Sequence, residues 1–309
     1  MTDGRGQAPY SGILNVDKPV GVSSHDVINS IRRVVGMRRV GHAGTLDPEA
    51  NGVLLICLGQ ATRISEYLMD STKEYRATIR FGEVSTTDDR AGEITVSGSI
   101  AHLEVQMILR VLPRFLGEIE QIPPVYSAIK VAGQPLYKKA RRGQAVNVTP
   151  RRVAIERIDV VSWDCPDLVI DVTCSKGTYI RALARDLGQA VGTGAYLRAL
   201  TRTRSGQFRL NDSLALDQVA RASRLGHLSR LLYPIDAAVS TWPAVFLARD
   251  EVERIQNGSA WYGPVTSAQA KARAYDAETG RLIGLLRYDN QLSRWQPDKI
   301  FPEVVDDAA

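Results

Sequence analysis

Three cysteines in 309 residues, Cys57, Cys165 and Cys174, form no CxxC pair, and their odd number gives no disulfide framework. They read as reduced core thiols. The four histidines, His25, His42, His102 and His227, are scattered without ligand spacing, so no metal is expected. The longest uninterrupted apolar stretch, Val53 to Leu58, falls far short of the roughly 18 apolar residues that a membrane helix needs. The opening "MTDGRGQAPYSG" has no apolar core of a secretory signal, so residues 1–10 read as a disordered tail and the chain as cytoplasmic. There is no internal repeat and no Gly-rich phosphate loop.

What remains is ordinary globular usage, 44% hydrophobic and 24% charged, in a chain long enough for about two domains. The net charge of +5 is modest, but its distribution is uneven. Between Lys130 and Arg152 stand Lys130, Lys138, Lys139, Arg141, Arg142, Arg151 and Arg152 with no acid, so the rest of the chain is net acidic. Two shorter acid-free clusters, Arg32, Arg33, Arg38, Arg39 and Arg198, Arg202, Arg204, Arg209, complete three basic patches. With Tyr126, Tyr137 and Phe208 interleaved, they point toward a phosphate backbone rather than toward solvated faces alone.

Local patterns place the chemistry-bearing residues. Ser23 or Ser24 caps a helix whose apolar positions are Val27, Ile28, Ile31, Val34 and Val35, ended by Gly36. A Gly- and Pro-punctuated loop containing "GTLDP" then runs into a strand from Val53 to Leu58, displaying Asp47 at the strand entrance. "YRATIRFG" alternates, with Tyr75, Ala77, Ile79 and Phe81 facing inward. A helix over 103–112 halts at Pro113, and the aperiodic, basic segment that follows resembles an arm or long insertion. Strands are expected at 153–161 and 168–174, then a helix with Ile180, Leu183, Leu187 and Val191 as its apolar stripe and Arg181 in its first turn. A second helical run is expected over 217–232, and residues 244–305 read as a small β-rich module beyond a Pro234–Pro243 joint.

In order, "KPVGVSSHDV", "GHAGTLDPEANGVL", "KEYRATIRFG", "QIPPVYSAIK", "SKGTYIRALARDLG" and "LRALTRTRSGQF" closely resemble the TruB-type tRNA pseudouridine synthases of bacteria, over about residues 11–240. The resemblance implies an α+β fold with a mixed, mainly antiparallel sheet flanked by helices, a catalytic domain over 11–240 with a basic RNA-gripping insertion at about 122–152, and a PUA-like RNA-binding domain over 244–305. It implies that uridine 55 in the tRNA T-loop is isomerised to pseudouridine by a monomer, with no cofactor and no guide RNA. Asp47 matches the nucleophile, which attacks C1′ or C6, and Arg181 the arginine paired with it. Tyr75 matches the tyrosine that stacks on the base and is implicated in proton removal at C5. Tyr179 and Leu200 match the uracil pocket, and His42 a histidine that helps place the flipped nucleotide. Lys18 matches a lysine near the site, and Lys130, Lys138, Lys139, Arg141 and Arg142 fall in the T-stem-gripping arm.

The chemistry is coherent: a carboxylate can bond to the nucleotide and leave again, splitting one hard step into two. Buried beside a base its pKa rises, so a guanidinium that never titrates must offset the burial and can hold it bidentately. A phenol is a poor base at neutral pH, which favours stacking for Tyr75. The alternatives are an RNA-folding chaperone, an RNA-guided synthase with the same loop, and an Asp-dependent phosphotransferase, the last lacking a metal-binding carboxylate pair.

Overall fold

The structure, a computed structural model, describes residues 10–125, 148–265 and 270–302 together with the backbone of 130–131 and 134–135. Most of the expected tail, Tyr126, Tyr137, Lys138, Lys139, Arg141, Arg142 and the Lys130 side chain lie outside the described residues.

The elements run β1 (Gly12–Lys18), α1 (Ser24–Val35), β2 (Val40–Ala43), β3 (Ala50–Leu58), α2 (Ser65–Met69), β4 (Lys73–Phe81), β5 (Glu83–Ser85), β6 (Ile94–Val96) and α3 (Val105–Val111). After β7 (Gly117–Gln121) come the short strands β8 (Lys130–Val131) and β9 (Gln134–Pro135), then β10 (Arg151–Asp164), β11 (Asp167–Cys174), α4 (Ile180–Val191), β12 (Ala195–Ser205), β13 (Phe208–Arg209) and α5 (Leu216–Arg224). The C-terminal part holds β14 (Ala244–Leu247), α6 (Arg249–Gln256), β15 (Lys271–Asp276), β16 (Leu282–Asp289) and β17 (Arg294–Ile300).

A nine-stranded sheet is ordered β1-β3-β12-β4-β11-β10-β7, with β2 added to β3 and β13 to β12. Every pairing in it is antiparallel except β3 with β12, so the α+β, mixed and mainly antiparallel expectation holds. Alternation puts Ala77, Ile79 and Phe81 of β4 into one core with Leu168, Ile170 and Val172 of β11, closed by Ile180, Leu183 and Leu187 of α4. A second core packs α1 and α5, through Val27, Ile31 and Val219, on Leu14, Val16, Leu54 and Ile56. Tyr75 and Leu200 touch both cores, and the site opens at that seam.

Ser23 caps α1 with a reciprocal capping box to Asp26, and Gly36 ends it at φ +67°. The expected 217–232 helix is shorter: α5 stops at Arg224, Gly226 takes φ +71°, and Leu228–Leu231 is a separate 3₁₀ turn. The strand expected from Val53 begins three residues earlier, because Leu200 to Arg202 of β12 pair with Ala50 to Gly52. At Gly52, φ is +100° and a Cβ would lie 2.3 Å from the Arg202 carbonyl oxygen, so only glycine lets these two strands meet. Cys57 and Cys174 are buried, with burial pushing their thiols up to about 12 and about 11, whereas Cys165 is exposed on the β10–β11 turn and is no core thiol.

β14–β17 form their own four-stranded sheet around Leu247, Ile283, Leu286 and Trp295, so the C-terminal module is β-rich, with α6 as its one α-helix among the described residues. Leu285 and Phe301 join Ile64, Leu68 and Phe208 in a shared core, and Lys299 pairs with Glu66 at 2.8 Å.

Candidate active site

Asp47 sits in the connection between β2 and β3, where its carbonyl accepts from the Ala50 N–H at 3.1 Å. Two buried cations hold that connection from beneath through its backbone. Lys18, at the end of β1, donates its three protons to the carbonyls of Pro19 at 2.8 Å, Val22 at 2.6 Å and Pro48 at 3.3 Å. Burial lowers its pKa to about 8, against the opposing pull of Asp47 and Glu49. Arg202, 1% exposed on β12, donates from Nε to the Val53 carbonyl at 2.6 Å and from Nη2 to that of Gly44 at 3.0 Å.

Arg202 therefore does not belong to a phosphate-binding patch. Its neighbours are also engaged: Arg204 pairs with Glu74 at 2.6 Å and Arg198 pairs with Asp167. Three of the four arginines in the 198–209 cluster are thus engaged within the protein. An Arg202→Met substitution should leave two carbonyls unpaired under the Asp47 loop and destabilise the protein by about 2–4 kcal/mol. Urea unfolding measures this, and an unchanged midpoint would exclude the clamp.

Above the loop, Arg181 reaches in from the first turn of α4. It is 5% exposed, and its Nε lies 3.1 Å from Asp47 Oδ2. Its Nη1 lies 3.2 Å from Asp89 Oδ2 and donates to the Thr87 carbonyl at 3.3 Å. The guanidinium is shared between two carboxylates rather than devoted to Asp47 in a bidentate pair. Asp89 is itself fixed by the Thr87 hydroxyl at 2.5 Å and the Ala91 N–H at 3.0 Å, both on Oδ1. On the same turn, Asp88 at φ +59° pairs with Arg185 at 2.9 Å, and Arg90 pairs with Glu49 of the Asp47 loop. Arg185 also donates to the Ile122 carbonyl at 2.9 Å, just beyond the end of β7. Beside it Gln121 Nε2 donates to the Tyr179 carbonyl at 3.3 Å, and the Tyr179 N–H donates to Gln121 Oε1 at 3.0 Å.

Asp47, Tyr75, Tyr179, Arg181 and Leu200 line one cleft of about 500 Å³. Arg151, Arg152 and Lys176 stand on the same wall, which brings the end of the basic segment to the Asp47 cleft. The Asp47 side chain is 44% exposed through the opening, yet the protein around it raises its pKa, with Arg181 and Lys18 opposing and Asp89 adding to the rise. Burial also raises the Tyr75 pKa, against Arg202, so the phenol stays protonated and presents a ring and a donor rather than a base. His42 and Lys18 are not among the residues lining the cleft. His42 lies on β2, its pKa lowered by burial and then by Arg202 and His25, with Nδ1 unpartnered among the described residues.

This mixed-sheet fold, with a carboxylate held by an arginine in its cleft, is shared as a fold by solved structures. The chain superposes with a TM-score of 0.73 on a solved H/ACA RNP bound to a substrate RNA containing 2′-deoxyuridine, at 23% identity, covering 99% of this chain and 92% of that one. With a Cbf5-Nop10-Gar1 complex the TM-score is 0.71 at 26% identity, covering 94% and 84%. Residues 32–180 match the N-terminal domain of TruB family pseudouridylate synthase, and residues 181–240 the tRNA pseudouridylate synthase B C-terminal domain. The tRNA pseudouridine synthase B of Pelotomaculum thermopropionicum is 41% identical over 92% of this chain and 90% of its own, and that of Trichormus variabilis 43% over 89% and 93%. The chain belongs to the TruB family of pseudouridylate synthases.

Proposed function

We propose that the protein isomerises uridine 55 in the T-loop of tRNA to pseudouridine, as a cytoplasmic monomer without cofactor or guide RNA. The observation that carries this reading is Asp47 at the cleft wall with the Arg181 Nε 3.1 Å away. The target base is stacked in a folded T-loop and must be flipped out, at a cost of a few kcal/mol that other contacts recover. Tyr75 then stacks on it, with Tyr179 and Leu200 against its edges and His42 helping to place the nucleotide. Asp47 attacks C1′ or C6, the N1–C1′ bond breaks, and the base turns. C5 bonds to C1′, the bond to Asp47 breaks and frees the carboxylate, the C5 proton passes to solvent and N1 takes one up, so atoms balance with no redox partner. The four-stranded C-terminal sheet supports a PUA-like RNA-binding role for residues 244–305. Treated tRNA should acquire one carbodiimide-stable adduct, read by primer extension at position 55, and an adduct elsewhere would overturn the site assignment.

The basic insertion at about 122–152 takes the grip in this reading, through Lys130, Lys138, Lys139, Arg141 and Arg142. A Lys138→Ala, Lys139→Ala, Arg141→Ala variant should flatten the slope of log K against log salt by roughly 2–3, at about 0.7–0.9 per phosphate contact. Its single-turnover rate at saturating tRNA should barely change, because a contact equal in ground and transition states leaves the barrier alone. A lowered saturated rate with full affinity would instead make the insertion part of base extrusion.

A further inference from the structure

Two segments without any acid meet at the end of β2 away from Asp47. Residues 27–46 hold Arg32, Arg33, Arg38 and Arg39, and residues 218–235 hold Arg221, Arg224 and Arg230. They are far apart in sequence, and packing joins them. The Ser223 hydroxyl donates to the Val34 carbonyl at 3.0 Å, while Val35, Met37, Val219 and Leu228 share one core. Arg33, Arg38, Arg39, Arg221, Arg224 and Arg230 are all exposed, and none forms an ion pair among the described residues.

Helix dipoles account for only part of this. A cation in the last turn of a helix contributes about 0.3–1 kcal/mol, which gives Arg33, Arg221 and Arg224 a structural reason to be where they are. Arg38, Arg39 and Arg230 lie outside both α-helices and add to the repulsion. The acids of the two helices do not relieve it: Asp26 is in the first turn of α1, and Asp217 precedes Arg221 by one turn of α5 without pairing to it. Leu225 is the one large apolar side chain exposed between the two helix ends, so the face offers charge without the apolar stripe that a lipid surface requires.

The four residues of β2 carry the chain roughly 13 Å from this face to the Asp47 loop, at about 3.3 Å per residue. Arginines at that distance are not placed to hold the reacting nucleotide. They fit a polyanion that continues past it. We propose that this face binds the phosphate backbone of the tRNA outside the T-arm, giving full-length tRNA a second point of attachment. The proposal rests on the tRNA reading above.

The test compares two probes, an unmodified full-length tRNA and an isolated T-arm hairpin, against an Arg38→Gln, Arg221→Gln, Arg224→Gln, Arg230→Gln variant. Affinity for the tRNA should fall about 10- to 100-fold at low salt and its salt slope should flatten by roughly 2–3, while hairpin affinity and the saturated rate on either RNA stay as in the parent. A second variant, Arg38→Glu with Arg230→Glu, alters neither α-helix and should show the same selective loss if the first folds poorly. Equal loss on both probes, or no loss on either, would overturn the proposal, as would discrimination that appears only with phosphatidylserine vesicles. Tritium release from the hairpin by the parent protein reads the catalytic assignment separately: its failure with selective tRNA binding intact would remove the activity and leave the face.

Discussion

Replacing Asp47 with asparagine should abolish release of tritium from tRNA labelled at uridine C5, with tRNA affinity kept within a small factor. The amide keeps the shape and the hydrogen bonding of the carboxyl but cannot form the reversible bond to the nucleotide. A loss of roughly 10⁴-fold or more in single-turnover rate is the scale expected when a nucleophile is removed. The variant should fold, because Arg181 retains its ion pair with Asp89 at 3.2 Å and Lys18 and Arg202 hold the loop through backbone carbonyls that the substitution leaves in place. Retained turnover would remove Asp47 from the chemistry. A protein that only refolds tRNA would keep all its activity.

An Arg181→Met variant should lose about 10²–10³-fold in the same rate, the scale on which one buried electrostatic partner acts. It should also change the pH profile, and the sign is fixed. In the proposed mechanism Asp47 works as the carboxylate, so activity should be lost as pH falls through its pKa in the folded protein. Burial already raises that pKa, and Arg181 is the strongest influence pulling it down. Without the guanidinium, Asp47 and Asp89 face each other unpaired and the acid limb moves to higher pH. Part of the rate should return in alkaline buffer. Arg181→Lys keeps the charge but not the planar fork that spans two carboxylates, so its limb should move less while its rate stays low. An acid limb identical to that of the parent would show that Arg181 does not set the ionisation of Asp47.

The sequence reading and the structure agree where the signal is local. The alternation in β4 put Ala77, Ile79 and Phe81 in the core, and the cap and apolar stripe of α1 marked both its ends. The run through Tyr179 and Arg181 opened a helix where the "SKGTYIR" pattern said it would. What escaped depends on register between distant strands. Arg202 reads as one of four arginines in a basic patch, and only its pairing with Gly52 on one side and Tyr75 on the other turns it inward, toward a carbonyl 149 positions away. Asp89 is indistinguishable in sequence from any acid in a Thr- and Asp-rich turn, and its partner Arg181 lies 92 positions further on. Gln121 likewise carries no local mark. The overlong helix over 217–232 had a visible stop in Gly226, whose positive φ ends the helical run.

The most direct measurement uses the unaltered protein, unmodified tRNA labelled with tritium at uridine C5, and no added cofactor. Replacing the C5 proton is inherent in joining C5 to C1′, so each conversion frees one label to water. One equivalent of tritium per tRNA should be released, and replacing uridine 55 by cytidine should abolish it. No release, or release that persists when position 55 holds no uridine, would contradict the account.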